Sequence, residues 1–137
     1  MNKGINQYQQ INVETSLTNA SPHRLVQMLY EGALTSLSAA KGALKSGTSV
    51  QAASHLKKAA NIIAGLEEGL DFDKAGEEGR QLTSNLENLY QYMQDQLISA
   101  QVEQSEAKID HIINLLVELK SGWDQIKPDA ADVGSAG

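Results

Sequence analysis

Apolar residues recur every three or four positions in four separate segments of this chain, and this spacing predicts four amphipathic helices. The fourth segment alternates steps of three and four most regularly, as in the seam of a coiled coil. The stripes comprise Leu25, Met28, Leu29, Ala33, Leu37, Ala40 and Leu44; Ala52, Leu56, Ala59, Ile63, Leu66 and Leu70; Leu82, Leu86, Leu89, Met93, Leu97 and Ala100; and Ile109, Ile112, Leu116, Leu119, Trp123 and Ile126.

Capping residues predict where the first two helices begin and end. Ser21 has the side chain of an N-cap, and Pro22 suits the first helical position because it has no N–H to leave unpaired. Ser46-Gly47 ends the first helix, and Thr48 with Gln51 three residues later predicts a capping box for the second. We expect the second helix to end near Asp71 and a polar joint at 103–105 to separate the last two.

Short connections place consecutive helices side by side, so the predicted fold is all-α, an antiparallel up-down four-helix bundle. The bundle should occupy residues 21–127. An N-terminal arm, residues 1–20, precedes it, and a disordered tail of small and acidic residues, 128–137, follows. The two prolines, Pro22 and Pro128, bracket the interior, which is what a helical domain requires.

Composition narrows the possible functions. At 137 residues the chain forms a single domain without room for a second, catalytic one, and it has no cysteine for disulfides or thiolate chemistry. A formal net charge of −6 argues against a nucleic-acid partner, because phosphate contacts need clustered Lys and Arg. No segment has the length and hydrophobicity of a membrane span or a secretory signal, so we expect a cytosolic protein without membrane insertion.

Some apolar residues exceed what four stripes can bury. An exposed apolar groove that accepts a partner helix would explain them, although imperfect bundle geometry would also widen the stripes. The arm adds Tyr8, Ile11 and Val13 at irregular intervals, as in a segment that needs a surface to lie on. The additional residues of the second and fourth helices are Ala60, Ile62, Ile113, Leu115 and Val117.

Catalytic and metal-binding patterns are missing from the sequence, so we expect neither an enzyme nor a cofactor or metal. The three histidines lack the Glu-x-x-His spacing of bundle metal sites, and the calcium-loop likeness of 71–82 has Leu82 where a bidentate Glu is required. One chemical alternative stays open. His55, with Lys58 about one turn along, loosely resembles the phosphoacceptor stretch of histidine phosphotransfer bundles.

Five segments, in this order and spacing, resemble the flagellin-specific flagellar export chaperone family, FliS. The likeness covers nearly all of the chain outside the tail, although Ala75-Gly76-Glu77 stands about one turn upstream of the family's Gly-Gly-Glu. The segments are Tyr8-Gln9-Gln10-Ile11-Asn12-Val13, Ser21-Pro22-His23-Arg24-Leu25, Gly65-Leu66-Glu67-Glu68-Gly69, Asn85-Leu86-Glu87-Asn88-Leu89-Tyr90 and Leu115-Leu116-Val117-Glu118-Leu119.

The resemblance implies a cytosolic chaperone that holds the C-terminal part of flagellin, disordered in the monomer, on apolar grooves. Binding would block premature polymerisation and present the cargo to components of the export apparatus. In this family the N-terminal arm can occupy part of the cargo groove. Neither nucleotide nor metal is needed for such coupled folding and binding.

Five residues follow as candidates for cargo binding or gating. Tyr8, Ile11 and Val13 in the arm would gate or contact the cargo, or else only hold the arm to the bundle. Tyr90 and Tyr92, which flank the third stripe, would face outward as a groove wall, whereas we assign Trp123 to the core. A generic scaffold that dimerises through the fourth stripe is a further alternative. For the oligomeric state we expect a monomer or a weak homodimer.

Overall fold

Four helices account for almost all of the described chain and confirm the predicted all-α class. The computed structural model describes residues 20–70 and 76–126, with side chains from Arg80 onward in the second range. Within these ranges the chain forms no strand. The helices are α1, Pro22–Lys45; α2, Ser49–Glu68; α3, Gly76–Glu103; and α4, Glu106–Gln125. The predicted arm and tail lie outside the described residues, apart from Ala20.

Side-chain contacts between neighbouring helices show that the bundle is antiparallel. The start of α1 meets the end of α4, where the Gln27 amide donates to Asp124 at 2.7 Å. At the other end of the same pair, Lys41 and Asp110 form an ion pair at 2.7 Å. The α2–α3 pair also runs antiparallel, and α4 packs against both α3 and α1, which closes the ring. The up-down bundle predicted from the short joints is therefore confirmed.

The predicted start and end of α1 are confirmed. Ser21 Oγ accepts from the Arg24 amide at 3.1 Å, with Pro22 at the first helical position. At the other end Gly47 has a left-handed φ of +77°, and the amide of Thr48 donates to the Ala43 carbonyl at 2.9 Å. This is a Schellman motif, and glycine suits it because the conformation has no Cβ penalty there.

The capping box predicted for α2 is wrong. Thr48 Oγ1 donates to the Ala43 carbonyl at 3.0 Å, so this hydroxyl serves the end of α1 rather than the start of α2. The helix also ends earlier than Asp71, because Gly69 is its C-cap. The joint between α3 and α4 is confirmed. Gln104 takes a positive φ of 51°, and Ser105 caps α4 by accepting from the Lys108 amide at 3.1 Å.

The third helix begins at Gly76, well before the first residue of the predicted stripe, Leu82. We expected Leu82 to be buried, and this prediction is wrong because its side chain is 60% exposed. Gln91 of α3 donates to Glu67 at 3.1 Å, close to the last residue of α2. Leu82 lies about two and a half turns earlier on α3, beyond the end of α2, so that helix cannot cover it.

The core is mainly aliphatic and includes most of the first two predicted stripes but only half of the last two. The prediction that Ile126 continues the fourth stripe into the core is wrong, because its side chain is exposed at the end of α4. Ile62 was expected to remain outside it, but α2 packs against both α1 and α3 and buries Ile62 beside Ile63. The prediction of surplus surface is confirmed at Val117, which is exposed. The buried cluster consists of Met28, Leu29, Tyr30, Ala33, Leu37, Ala40, Leu56, Ala59, Ile62, Ile63, Leu66, Tyr90, Met93, Leu97, Ala100, Ile109, Ile112 and Leu116.

Two tyrosines form a polar link inside this apolar core. The hydroxyls of Tyr30 on α1 and Tyr90 on α3 are joined by a hydrogen bond of 2.7 Å, across the diagonal of the bundle. Burial raises the pKa of both side chains above the usual tyrosine value, so both hydroxyls stay protonated at neutral pH. Each hydroxyl therefore satisfies the other, and no side-chain polar atom buried in the described part of the chain lacks a partner.

Replacing Tyr90 by Phe should destabilise the bundle because the hydroxyl of Tyr30 would remain buried without its partner. We expect Tyr90→Phe to lower the free energy of unfolding by about 1–3 kcal/mol, measured by urea denaturation. The double variant Tyr30→Phe/Tyr90→Phe should lose less than the sum of the two single variants. Tyr92→Phe, which removes an exposed hydroxyl, is the control and should change stability by less than about 0.5 kcal/mol. Additive losses in the double variant would contradict this coupling.

Candidate functional site

An open trough lies between α2 and α3. It has a volume of about 470 Å³, and its walls are mainly aliphatic. A second hollow of about 250 Å³ continues it towards the α1–α2 turn and shares Ala53, Leu56 and Gln101 with it. We call the two together the α2–α3 trough. Its lining residues are Ala53, Ser54, Leu56, Lys57, Ala60, Gln94, Leu97, Ile98 and Gln101, continued by Leu44, Ser49, Val50, Ala52 and Gln104.

The trough exists because α2 presents small side chains to α3. Ala53, Ser54 and Ala60 are too short to fill the space between the two helices. At one end of the trough Gln94 of α3 reaches across, and its amide donates to the Ala60 carbonyl at 2.9 Å. The helices are thus held together there by a polar contact, and the apolar space beyond it stays open.

Two large apolar side chains of the trough lining are exposed, and a third, which is not part of the lining, is exposed one turn further along α3. Ile98, in the α3 wall, is 64% exposed, and Val50, at the distal end, is 83% exposed. Val102, one turn after Ile98 on α3, is 77% exposed. Exposed aliphatic residues are ordinary when scattered singly, but residues that adjoin an apolar hollow form a contiguous surface typical of an interaction site. We therefore take this trough as the candidate site.

Of the five residues predicted from the sequence, the two that the structure describes do not line the trough. Tyr8, Ile11 and Val13 lie outside the described residues. Tyr90 was expected to face outward, and this prediction is wrong because Tyr90 is 2% exposed and is held inward by its hydrogen bond to Tyr30. Its side chain extends the core stripe of α3 instead of flanking it.

Tyr92 faces outward, as expected, but on another side of α3. Its hydroxyl lies 2.9 Å from Nε2 of His111 on α4, and the two rings meet edge to face with their centroids 5.7 Å apart. This pair belongs to the α3–α4 face, so Tyr92 is not part of the trough between α2 and α3.

Sequence reasoning missed Val50, Ile98 and Val102. A signal for two of them exists, since Ile98 and Val102 are four residues apart and follow the core residue Leu97. This spacing marks a second, shorter apolar strip beside the main one. Which flank of α3 faces α2 depends on the packing of the helices, and the pattern along one helix does not contain that information.

The opposite end of the bundle is closed by a pair of rings. His23 of α1 stacks on Trp123 of α4 with ring centroids 5.0 Å apart. The indole N–H of Trp123 donates to the His23 carbonyl at 2.9 Å, and Nε2 of His23 lies 3.0 Å from the Trp123 carbonyl. Trp123 packs against the core, although only partly buried. These reciprocal contacts fasten the first helix to the last.

A further hollow between α1 and α4 is less suited to an apolar ligand. It has a volume of about 330 Å³, but Lys120 and Asp124 line it together with Leu34 and Val117. The two charged groups form an ion pair at 2.6 Å, which lowers the pKa of Asp124. A partner would have to bury or displace this pair, whereas the described lining of the α2–α3 trough contains no ion pair.

Neither chemical alternative gains support from the geometry. No cluster of His, Asp or Glu among the described residues could hold a metal ion, and the calcium-like segment around Asp71 and Asp73 lies outside them. His55 is half-buried on α2 rather than freely exposed. The alternative hypothesis was a scaffold that dimerises through the fourth stripe. Its premise is wrong, because Ile109, Ile112 and Leu116 are fully buried within the bundle.

Comparison with known proteins identifies the family. The family model described as flagellar protein FliS matches residues 4–130 of this chain. The chain belongs to the FliS family. The resemblance seen in the sequence is therefore confirmed, and it covers nearly the whole chain. Among the described helices, none combines the length and hydrophobicity needed to cross a bilayer.

Relatives of known role support the same assignment. The flagellar secretion chaperone FliSB of Pseudomonas aeruginosa is 40% identical over 124 residues, which cover 90% of this chain and 95% of the relative. The flagellar secretion chaperone FliS of Salmonella typhimurium is 39% identical, with 93% of each chain covered. That of Vibrio cholerae is 34% identical over 98% of this chain and 99% of the relative. Their names describe chaperones, so the FliS match favours this role over phosphotransfer by His55.

Proposed function

We propose that this chain is a cytosolic flagellar export chaperone that binds the C-terminal segment of flagellin in the α2–α3 trough. Binding would keep the segment from polymerising prematurely and would deliver it to the export apparatus. The observation that carries the proposal is the apolar trough with Val50 and Ile98 exposed in its lining, in a chain of the FliS family.

The trough suits a short amphipathic helix. Its α2 wall runs from Ser49 to Ala60, a length of about 17 Å, which corresponds to about three helical turns of a bound segment. A disordered segment that becomes helical there loses chain entropy. This cost is offset because the apolar stripe of the segment and the apolar lining of the trough are both removed from water. Helix-in-groove recognition of this kind requires no catalytic group, nucleotide or metal.

The arm provides a second part of the proposal, in which Tyr8, Ile11 and Val13 occupy the trough while no cargo is bound. The resemblance to the family implies this role, and the geometry permits it. The arm joins the bundle at Ala20, at the same end as the Gln94 boundary of the trough, and 19 residues can span up to about 60 Å when extended. Tyr92 stays a proposed cargo contact on the adjacent α3–α4 face.

A polar substitution in the trough wall should weaken cargo binding without affecting the fold. Ile98→Gln removes an exposed apolar side chain that cargo would cover, so it should lower affinity roughly fivefold to thirtyfold. Isothermal titration calorimetry with the C-terminal flagellin segment measures this, and circular dichroism reports the gain in helix. Leu82→Gln is the matched control because Leu82 lies on the same helix and is similarly exposed, but outside the trough.

Two results would count against the proposal in different ways. If the wild-type protein neither forms a complex with the segment nor induces helix in it, the proposed chaperone function itself is wrong. Unchanged affinity in the Ile98 variant, with a normal wild-type complex, would instead place the cargo on another surface.

Changing the arm should expose the trough. If Tyr8, Ile11 and Val13 compete with cargo, replacing all three by Ser should raise both cargo affinity and the fluorescence of a bound hydrophobic dye, because no competing apolar group remains. The control replaces Gln9, Asn12 and Glu14 by Ala, which leaves the apolar arm residues intact. Equal dye fluorescence in both variants and the wild type would show that the arm covers no apolar surface.

A further inference from the structure

We infer that Lys57 makes the trough selective for a helical segment that carries an acidic residue beside its apolar stripe. This inference rests on the proposed function and adds to it the chemistry by which cargo is chosen. It assigns to Lys57 an ion pair with a carboxylate of the bound segment, and it assigns the register of that segment in the trough.

Charge along the trough is confined to one position. Of the described residues that line it, Lys57 is the one with an ionised side chain, and the others are aliphatic, amide or hydroxyl residues. No acidic residue is among those that line the trough, so a carboxylate of a bound segment meets no like charge in the lining. Within the trough, Lys57 is therefore the position at which a cargo carboxylate is favoured.

Lys57 is also available for an external partner. Arg24, Lys41, Lys45, Lys108 and Lys120 are among the cations that form ion pairs in the described part of the chain, whereas Lys57 forms none there. Its side chain is exposed, and no carboxylate in 20–70 or 80–126 has to be displaced for a new pair to form. A cargo carboxylate would thus gain an ion pair without breaking one inside the chaperone.

Helix geometry fixes where on the cargo this carboxylate must stand. The apolar stripe of a bound helix faces the floor of the trough, which Leu56 and Leu97 supply from beneath. Residues that flank the stripe lie along the walls, and Lys57 is part of the α2 wall. An acidic residue adjoining the stripe can reach Lys57, whereas one on the far side of the helix points to solvent.

The Lys57→Glu variant tests the inference, with Lys58→Glu as a matched control. Lys58 is the neighbouring cation on α2, but it does not line the trough. Reversal of charge at Lys57 should weaken binding of the flagellin C-terminal segment about tenfold in low salt, because attraction becomes repulsion. The control should change affinity less than about twofold. Higher salt should reduce the difference between the wild type and Lys57→Glu.

A charge swap on the cargo then identifies the partner carboxylate. Each Asp and Glu of the segment is replaced by Lys, one at a time, and titrated against Lys57→Glu. One of these segments should recover most of the lost affinity. Circular dichroism of the free variants, which carry their substitutions at the surface, confirms that each retains the helical fold.

Four outcomes are distinguishable. The inference is supported if Lys57→Glu alone lowers the affinity and one charge-swapped segment restores it. The inference is wrong if the wild type binds the segment and Lys57→Glu binds it equally well, or if Lys58→Glu loses as much affinity as Lys57→Glu. Either result leaves the chaperone function intact. If Lys57→Glu alone lowers the affinity but no charge-swapped segment restores it, Lys57 does not form the inferred ion pair. Failure of the wild type to bind removes the proposed function and this inference with it.

Discussion

Side-chain size at the helix interfaces controls how closely the four helices of this bundle pack. Ala33 and Ala40 of α1 and Ala59 of α2 are completely buried, and residues of this size let helices approach each other closely. Where α2 faces α3, Ala53, Ser54 and Ala60 are again small, but here the space they leave is not filled. Small residues of α1 and α2 thus allow close packing within the bundle, and small residues of α2 leave the open trough beside α3.

An interaction surface of this kind requires the chain to expose apolar groups that would ordinarily promote aggregation. Net charge limits that tendency, because the formal charge of −6 favours repulsion between copies. In the core beneath the trough, the buried hydroxyls of Tyr30 and Tyr90 pair with each other, so no buried side-chain polar atom of the described residues lacks a hydrogen-bond partner.

The sequence predicted the fold well because helix periodicity, caps and short joints are local signals. Ser21, Gly47 and Ser105 each act at the boundary where they were expected. The errors occur where an answer depended on the neighbouring helix. Leu82 lies beyond the end of α2, and Tyr90 turns inward to meet Tyr30, a partner 60 residues away in sequence. The trough was missed for the same reason, since the flank of α3 that holds Ile98 becomes a wall only when α2 is beside it.

The stacked rings of His23 and Trp123 bring Ala20 and Ile126, the two points at which the chain leaves the described bundle, to the same pole. The trough opens at the other pole, between Val50 and Gln104, where only two short turns connect the helices. A client longer than three turns could therefore continue past that pole without meeting Ala20 or Ile126. Under the proposed function, the free end of such a client would project beyond the α1–α2 and α3–α4 turns, away from the pole that the two rings close.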